Sequence, residues 1–143
     1  MAKVQILAVL TMDGCLSELE SKKHGSGTSD PYGIEAIREK TYFKITPEHS
    51  ISMLAKWREE EDKAIYLAEA TPRTADFING MLRMRVVDEI ILYTLPQIAG
   101  TGRHFFQSTL PQDEWKVVEH KLYDGGVVFT VYRTEWKPTV FIK

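Results

Sequence analysis

The chain has 143 residues, of which 43% are hydrophobic, and its 18 Lys and Arg residues against 20 Asp and Glu residues leave a formal net charge of −2. This is the size of one domain with one hydrophobic core, so residues 1–143 are predicted to form a single domain. The balanced charge argues against nucleic acid or an acidic membrane as the main partner, because phosphates are bound by clustered Lys and Arg.

The first predicted element is a buried strand over residues 4–10, which form a nearly continuous apolar run. No small-residue cleavage site follows it, and no run approaches the roughly 20 apolar residues that span a bilayer. The sequence therefore predicts a cytoplasmic protein that does not bind membranes. Residues 11–14 have turn chemistry, and the polar segment 17–30 is predicted to be a mobile loop.

Three predicted helices share one kind of start, in which a capping residue is followed by proline in the first turn. Apolar residues recur at helical spacing after each start, which gives each helix a buried face. The first helix is predicted to end near Lys40. The three starts are Asp30-Pro31, Thr46-Pro47 and Thr71-Pro72.

Further strands are predicted over 64–68 and 90–93, followed by a hairpin over 115–133 with Asp124-Gly125 in its turn. Residues 140–142 are a candidate edge strand. This order predicts an α/β fold: a mixed sheet with a parallel centre, an antiparallel C-terminal hairpin and helices on both faces.

The candidate site lies where the parallel strands end, because strand carboxyl ends and helix N-termini meet there and favour anions. Asp13 and Glu69 follow strands and are candidate ligand-binding carboxylates; turn formation and simple exposure are the alternatives. Arg73 lies in a predicted first helical turn, where a cation is unfavourable unless an anion binds beside it; a simply exposed arginine is the alternative. The four histidines lack metal-ligand spacing, so no metal site is predicted.

Four segments carry a resemblance to a known family. Residues 87–93, 96–106 and 125–133 look like its Val-Asp-Glu strand, its Pro and Gly-x-Gly segment, and its Gly-Val-Val hairpin. Residues 11–14 are similar to its Ser-Leu-Asp-Gly turn. In this order the segments resemble the reductase domain of riboflavin biosynthesis and its relatives with the dihydrofolate-reductase-like fold.

The resemblance implies hydride transfer from NADPH to a pterin-like or ribosylamino-pyrimidine-like substrate. It implies substrate binding by Asp13, near the nicotinamide end of the site, and by Glu69. The implied cofactor-binding residues are Thr71, Pro72, Arg73, Gly100 and Gly102.

The chain departs from the family at the cofactor segment, where Glu-Gly-Gly-Pro is replaced by Glu69-Ala70-Thr71-Pro72. Side chains at the two glycine positions block close approach of the cofactor phosphates. Two other interpretations therefore stay open. The chain is then a relative that lost cofactor binding and acts as a ligand-binding or dimerising module, or an unrelated protein that binds a phosphate-bearing ligand at the Thr71-Pro72 helix start.

Aromatic residues in the C-terminal part of the chain, Phe105, Phe106, Trp136 and Phe141, allow a homodimer, although aromatic residues are equally at home in a core.

Overall fold

Six strands form one mixed sheet in the computed structural model, which describes residues 2–19, 23–24, 27–28, 30–59, 63–107 and 110–134. Two short strands form a separate hairpin, and three helices complete the described fold. The strands are β1 (Lys3–Leu10), β2 (Lys23–His24), β3 (Gly27–Thr28), β4 (Phe43–Lys44), β5 (Ile65–Glu69), β6 (Glu89–Thr94), β7 (Trp115–Leu122) and β8 (Val128–Thr134). The helices are α1 (Ile34–Glu39), α2 (Ile51–Glu59) and α3 (Ala75–Arg83).

The main sheet has the strand order β4-β5-β1-β6-β8-β7. β4, β5, β1 and β6 are parallel, while β8 runs antiparallel to both β6 and β7. The predicted mixed sheet is therefore confirmed. β1 lies between β5 and β6 at the centre of the sheet, where helices cover both sides, and this coverage explains why its sequence is apolar on both faces.

The helices cover both faces of the sheet, as predicted. Val4 and Ile6 of β1 pack on one side with Leu54 of α2 and Ile78 of α3, and we call this side the α2–α3 face. Leu7 of β1 packs on the other side with α1, and we call this side the α1 face. Both core clusters are continuous across β1 and β6, so these two strands form the centre of the fold.

The three proline starts are turns that precede the helices rather than first helical turns. In each, the carbonyl before proline accepts the N–H three residues later: Asp30 from Gly33, Thr46 from His49 and Thr71 from Thr74. Proline fits the second position of such a turn because its φ is already correct. The helices therefore begin three or four residues later than predicted, at Ile34, Ile51 and Ala75.

Asp30 still caps α1, but from a distance. Its carboxylate oxygens accept the N–H groups of Glu35 and Ala36 at 3.2 and 3.0 Å. These are N–H groups that a helix start leaves unsatisfied. Asp30 is therefore a capping residue, as predicted, but it caps α1 from across the proline turn and not from the position directly before the helix.

Two elements were not predicted. β4 has two residues and pairs with β5, and the β2–β3 hairpin lies inside the segment 17–30 that was predicted to be a mobile loop.

Of the aromatic residues that were considered for a homodimer, Phe105 is fully buried and Phe106 is 45% exposed. Residues 140–142, Trp136 and Phe141 lie outside the described residues. None of the described helices has the length and apolar character needed to cross a membrane.

The predicted hairpin is confirmed, and two consecutive glycines form its turn. Gly125 and Gly126 have φ values of 89° and 87°, which side chains rarely adopt. A Cβ on Gly126 would lie 3.2 Å from Cγ of Pro96, whereas a Cβ on Gly125 would meet nothing within 4 Å.

This difference makes the two glycines a matched pair for a stability test. We expect Gly125→Ala to cost about 1 kcal/mol, since only the backbone is strained. Gly126→Ala should cost about 1 kcal/mol more, because the hairpin must also move away from Pro96. Urea denaturation of both variants measures the difference, and equal losses would show that the contact with Pro96 yields without cost.

Candidate functional site

Two loops are joined where the parallel strands end. The carboxylate of Asp13, which follows β1, accepts the N–H groups of Ala99 and Gly100, which follow β6, at 3.1 and 3.0 Å. It also accepts the hydroxyl of Thr11. The Thr11 hydroxyl and these two N–H groups hold the pKa of Asp13 well below its usual range. Asp13 therefore stays ionised and clamps the two loops together.

Backbone hydrogen bonds extend this junction. The N–H of Met12 donates to the carbonyl of Gln97 at 2.7 Å, and the N–H of Leu16 donates to that of Arg103 at 2.8 Å. Gly100 has a φ of 76°, and its N–H contacts Asp13. Gly102 has a φ of 139°, beside the buried Cys15. These positive φ values explain why glycine occurs at both positions of this exposed loop.

Glu69, at the end of β5, is held by two cations. Its Oε1 accepts Nε and Nη2 of Arg38 at 3.1 and 2.7 Å, and Nζ of Lys44 lies 3.4 Å from its Oε2. Burial would raise the pKa of Glu69, but the hydrogen bonds and charge of Arg38 and the charge of Lys44 outweigh it and lower the pKa. Glu69 is therefore an ionised acceptor, oriented from α1 and β4.

A cleft opens beside this ion pair, between α1, the loop after β1 and the end of β5. Its volume is about 210 Å³, below the roughly 300–1,000 Å³ of most small-molecule sites. Apolar side chains form its floor, and Arg38, Glu69 and Thr71 lie on its polar side. The full lining is Leu7, Val9, Ser17, Glu18, Leu19, Ile34, Arg38, Glu69, Ala70 and Thr71.

Thr71 and Thr74 form reciprocal hydrogen bonds across the turn before α3. The N–H of Thr71 donates to Oγ1 of Thr74 at 2.8 Å, and the N–H of Thr74 donates to Oγ1 of Thr71 at 3.2 Å. The Thr74 hydroxyl also donates to the carbonyl of Glu69 at 2.8 Å. The backbone at Thr71, where the resemblance to the reductase family implies a glycine, is therefore hydrogen-bonded within the protein and carries a side chain.

The start of α3 retains donors for an anion. The N–H groups of Ala75, Asp76 and Phe77 have no acceptor in the part of the chain that the structure describes. Arg73 is exposed and pairs with no described residue. The carboxylate of Asp76 shares this end of α3, and hydrogen bonds from Arg103 and then Gln107 lower its pKa.

These contacts test whether the site fits a phosphate-bearing cofactor. Arg73 and the first turn of α3 fit an anionic group, because their donors are free among the described residues. Residues 70 and 71 do not fit the close phosphate contact that glycines allow. A cofactor bound here would therefore place its phosphates toward Arg73 rather than against residues 70 and 71.

The structure brings the predicted residues together in two groups. Asp13, Gly100 and Gly102 belong to the joined loops after β1 and β6. Glu69 and Thr71 line the cleft, with Pro72 and Arg73 in the exposed turn beside it. No cluster of three or more His, Cys, Asp or Glu residues is placed for a metal ion among the described residues.

Sequence reasoning missed Arg38, Lys44 and Arg103. Arg38 also pairs with Glu35, three residues earlier on α1, and this spacing is visible in the sequence. Its partner Glu69 is 31 residues away. Only the packing of α1 against the sheet beside the end of β5 brings these two side chains together.

Comparison with known proteins identifies relatives. The family model described as the RibD C-terminal domain matches residues 53–129. No curated protein gives a significant match.

Solved structures share the fold at low identity. A putative riboflavin biosynthesis protein from Shewanella sp. PV-4 is 12% identical, with a TM-score of 0.61 over 93% of this chain and 99% of that one. RibD from Acinetobacter baumannii is 13% identical, with a TM-score of 0.61 over 94% of this chain and 58% of that protein. Dihydrofolate reductase from Enterococcus faecalis, solved with NADP(H) and RAB-propyl, is 10% identical, with a TM-score of 0.57 over 93% and 96% of the two chains. These matches support the predicted dihydrofolate-reductase-like fold.

Proposed function

The chain belongs to the RibD C-terminal domain family, and from this membership we propose that it is an NADPH-dependent reductase. Its substrate would be pterin-like or ribosylamino-pyrimidine-like. Family membership removes the interpretation of an unrelated phosphate-binding protein. The observation that carries the proposal is a set of donors, Arg73 and the N–H groups of the first turn of α3, that no described residue accepts from. They lie beside a cleft at the carboxyl ends of the parallel strands.

The chain's own residues would bind and orient the reactants. NADPH, when bound, supplies the hydride. Glu69 is ionised, so it would accept hydrogen bonds from substrate N–H groups rather than donate a proton. Its Oε2 has one partner, Lys44 at 3.4 Å, among the described residues and retains acceptor capacity. Arg38 would hold Glu69 in position while the substrate binds in the cleft.

Titration of the purified protein with NADPH tests this proposal. Binding should raise the melting temperature, with a stabilisation of RT ln(1 + [L]/Kd), and should change the fluorescence of Trp115 or another tryptophan. Arg73→Ala should weaken binding by about tenfold or more, because a charge-assisted contact to phosphate is lost. Lys63→Ala is the matched control, since Lys63 is an exposed cation before the amino end of β5. Absence of any shift at millimolar NADPH would contradict the reductase proposal.

One observation favours a second candidate function. Thr71 and Thr74 bond each other where the family has glycines, as expected if a relative lost cofactor binding and now acts as a ligand-binding module. In that case a small polar ligand would bind beside Arg38 and Glu69 without NADPH. Restoring the two glycines distinguishes the two candidate functions.

A further inference from the structure

A second cavity lies on the α1 face at the amino ends of the parallel strands, and we call it the amino-end cavity. α1 has six residues and is about 9 Å long, whereas the eight residues of β1 extend over about 26 Å. Ile34, at the start of α1, lines the cleft at the carboxyl ends, and Ile37, one turn later, lines the amino-end cavity. On this face the described helix is therefore too short to cover the amino ends of the strands.

The amino-end cavity has the size and the lining of a small-molecule site. Its volume is about 290 Å³, near the lower end of the roughly 300–1,000 Å³ of such sites. An apolar floor removes the apolar part of a ligand from water. The floor comes from α1, β5, β6 and β8, and its side chains are Ile37, Ile65, Ile91, Phe129 and Val131.

A buried carboxylate organises the polar side of the cavity. Glu89 is 3% exposed, and its Oε1 accepts Nε2 of Gln5 at 2.7 Å. Its Oε2 accepts Nε and Nη2 of Arg133 at 2.7 and 2.6 Å, and Nζ of Lys3 lies 3.5 Å away. Burial would raise the pKa of Glu89, but these hydrogen bonds and the two positive charges outweigh it and lower the pKa. Glu89 is therefore ionised and holds two cations beside the cavity.

Positive charge exceeds negative charge around the amino-end cavity. Lys40 lies on its lining, and its side chain has no partner in the part of the chain that the structure describes. Nη1 of Arg133 likewise meets no described acceptor. Glu89 and Glu119 are the carboxylates of the lining, so three cations face two anions. A ligand with one negative charge would balance the remaining positive charge.

We propose that the amino-end cavity binds a small organic monoanion, namely a carboxylate attached to an apolar group. The carboxylate accepts hydrogen bonds from Nζ of Lys40 and Nη1 of Arg133, and the apolar group packs on the floor. A phosphate monoester carries close to two negative charges at neutral pH and exceeds this balance. The site is separate from the proposed reduction, because no residue lines both this cavity and the cleft at the carboxyl ends.

Titration of the native chain with phenylacetate, followed by two-dimensional amide NMR spectra, tests the proposal. The amide signals of Lys3, Ile37 and Val131 should shift and reach saturation, with a dissociation constant of about a millimolar, as expected for so small a ligand. Phenylacetamide has the same apolar group without the charge and should bind at least about tenfold more weakly. Phenyl phosphate should also bind more weakly than phenylacetate.

Two variants test the charge and the floor separately. Lys40→Glu should raise the dissociation constant of phenylacetate at least about tenfold, because it sets a carboxylate beside the bound one. Lys56→Glu makes the same change at an exposed lysine of α2, on the other side of the sheet, and should leave the constant unchanged. Ile65→Phe should also weaken binding by filling the cavity, and thermal denaturation checks that this variant is folded.

Arg73→Ala distinguishes this site from the candidate site, and it should leave phenylacetate binding unchanged. Loss of binding in this variant would place the anion at the start of α3 and overturn the proposal. So would the absence of saturating shifts in the native chain, equal affinity for phenylacetamide, or an unchanged affinity in Lys40→Glu. Tighter binding of phenyl phosphate would overturn the assignment to a monoanion.

Discussion

Replacing Asn79 by alanine is expected to lower the free energy of unfolding by about 2–4 kcal/mol. Asn79 is fully buried on α3. Its side-chain amide donates to the carbonyls of Ala75 and Phe105, both at 2.7 Å, and its Oδ1 accepts the N–H of Gln107 at 3.2 Å. Alanine would leave the groups of residues 105 and 107 without partners inside the fold, and urea denaturation measures the cost.

We expect the Asn79→Ala substitution to disturb the candidate site as well. Residues 105 and 107 continue the loop that Asp13 clamps, so Asn79 anchors the far end of that loop to α3. Met84→Ala is the control, because Met84 directly follows the same helix and is 61% exposed. It should change stability by less than about 0.5 kcal/mol. An equally small change for Asn79→Ala would show that solvent replaces all three hydrogen bonds.

Restoring the family's glycines is expected to strengthen NADPH binding by at least about tenfold. The double variant Ala70→Gly/Thr71→Gly removes both Cβ atoms from the diglycine position. It also removes the Thr71 hydroxyl that accepts the N–H of Thr74. Backbone N–H groups then become accessible to the cofactor phosphates, as they are beside glycine. Thermal shift and fluorescence titration of the native and double-variant proteins measure the gain.

The outcome distinguishes the two candidate functions. Binding by the native chain, strengthened in the double variant, supports the reductase. Binding by the double variant alone supports a relative that lost its cofactor, and an unchanged affinity would contradict the role assigned to residues 70 and 71. Gln112→Gly, an exposed loop substitution, controls for added backbone flexibility.

The elements that could be predicted are those whose signal is local. The apolar runs of β1 and β6 predict central strands because both of their faces are buried, and Asp124-Gly125 predicts a hairpin because glycine permits positive φ. The two-residue strand β4 has no such signal, since two residues show no periodicity. The proline turns were misread because proline suits both a first helical turn and the second position of a β-turn.

The candidate site could likewise be predicted only in part, in its residues but not in their contacts. Asp13 and Glu69 were located from their places after strands, because the carboxyl ends of parallel strands share one edge. Their partners were not found: Asp13 binds Ala99 and Gly100, and Glu69 binds Arg38 and Lys44. These contacts join residues far apart in the chain, so no local pattern records them.

The amino-acid sequence by itself determined the central parallel strands, the C-terminal hairpin, the family and the loss of the diglycine, since each depends on residue types within a short segment. Only the tertiary structure decided which cations hold Glu69, that Thr71 and Thr74 hydrogen-bond to each other, and that Asn79 anchors the loop after β6 to α3. Those features depend on strand order and on how the helices pack against the sheet, and both arise from contacts between segments that are distant in the sequence.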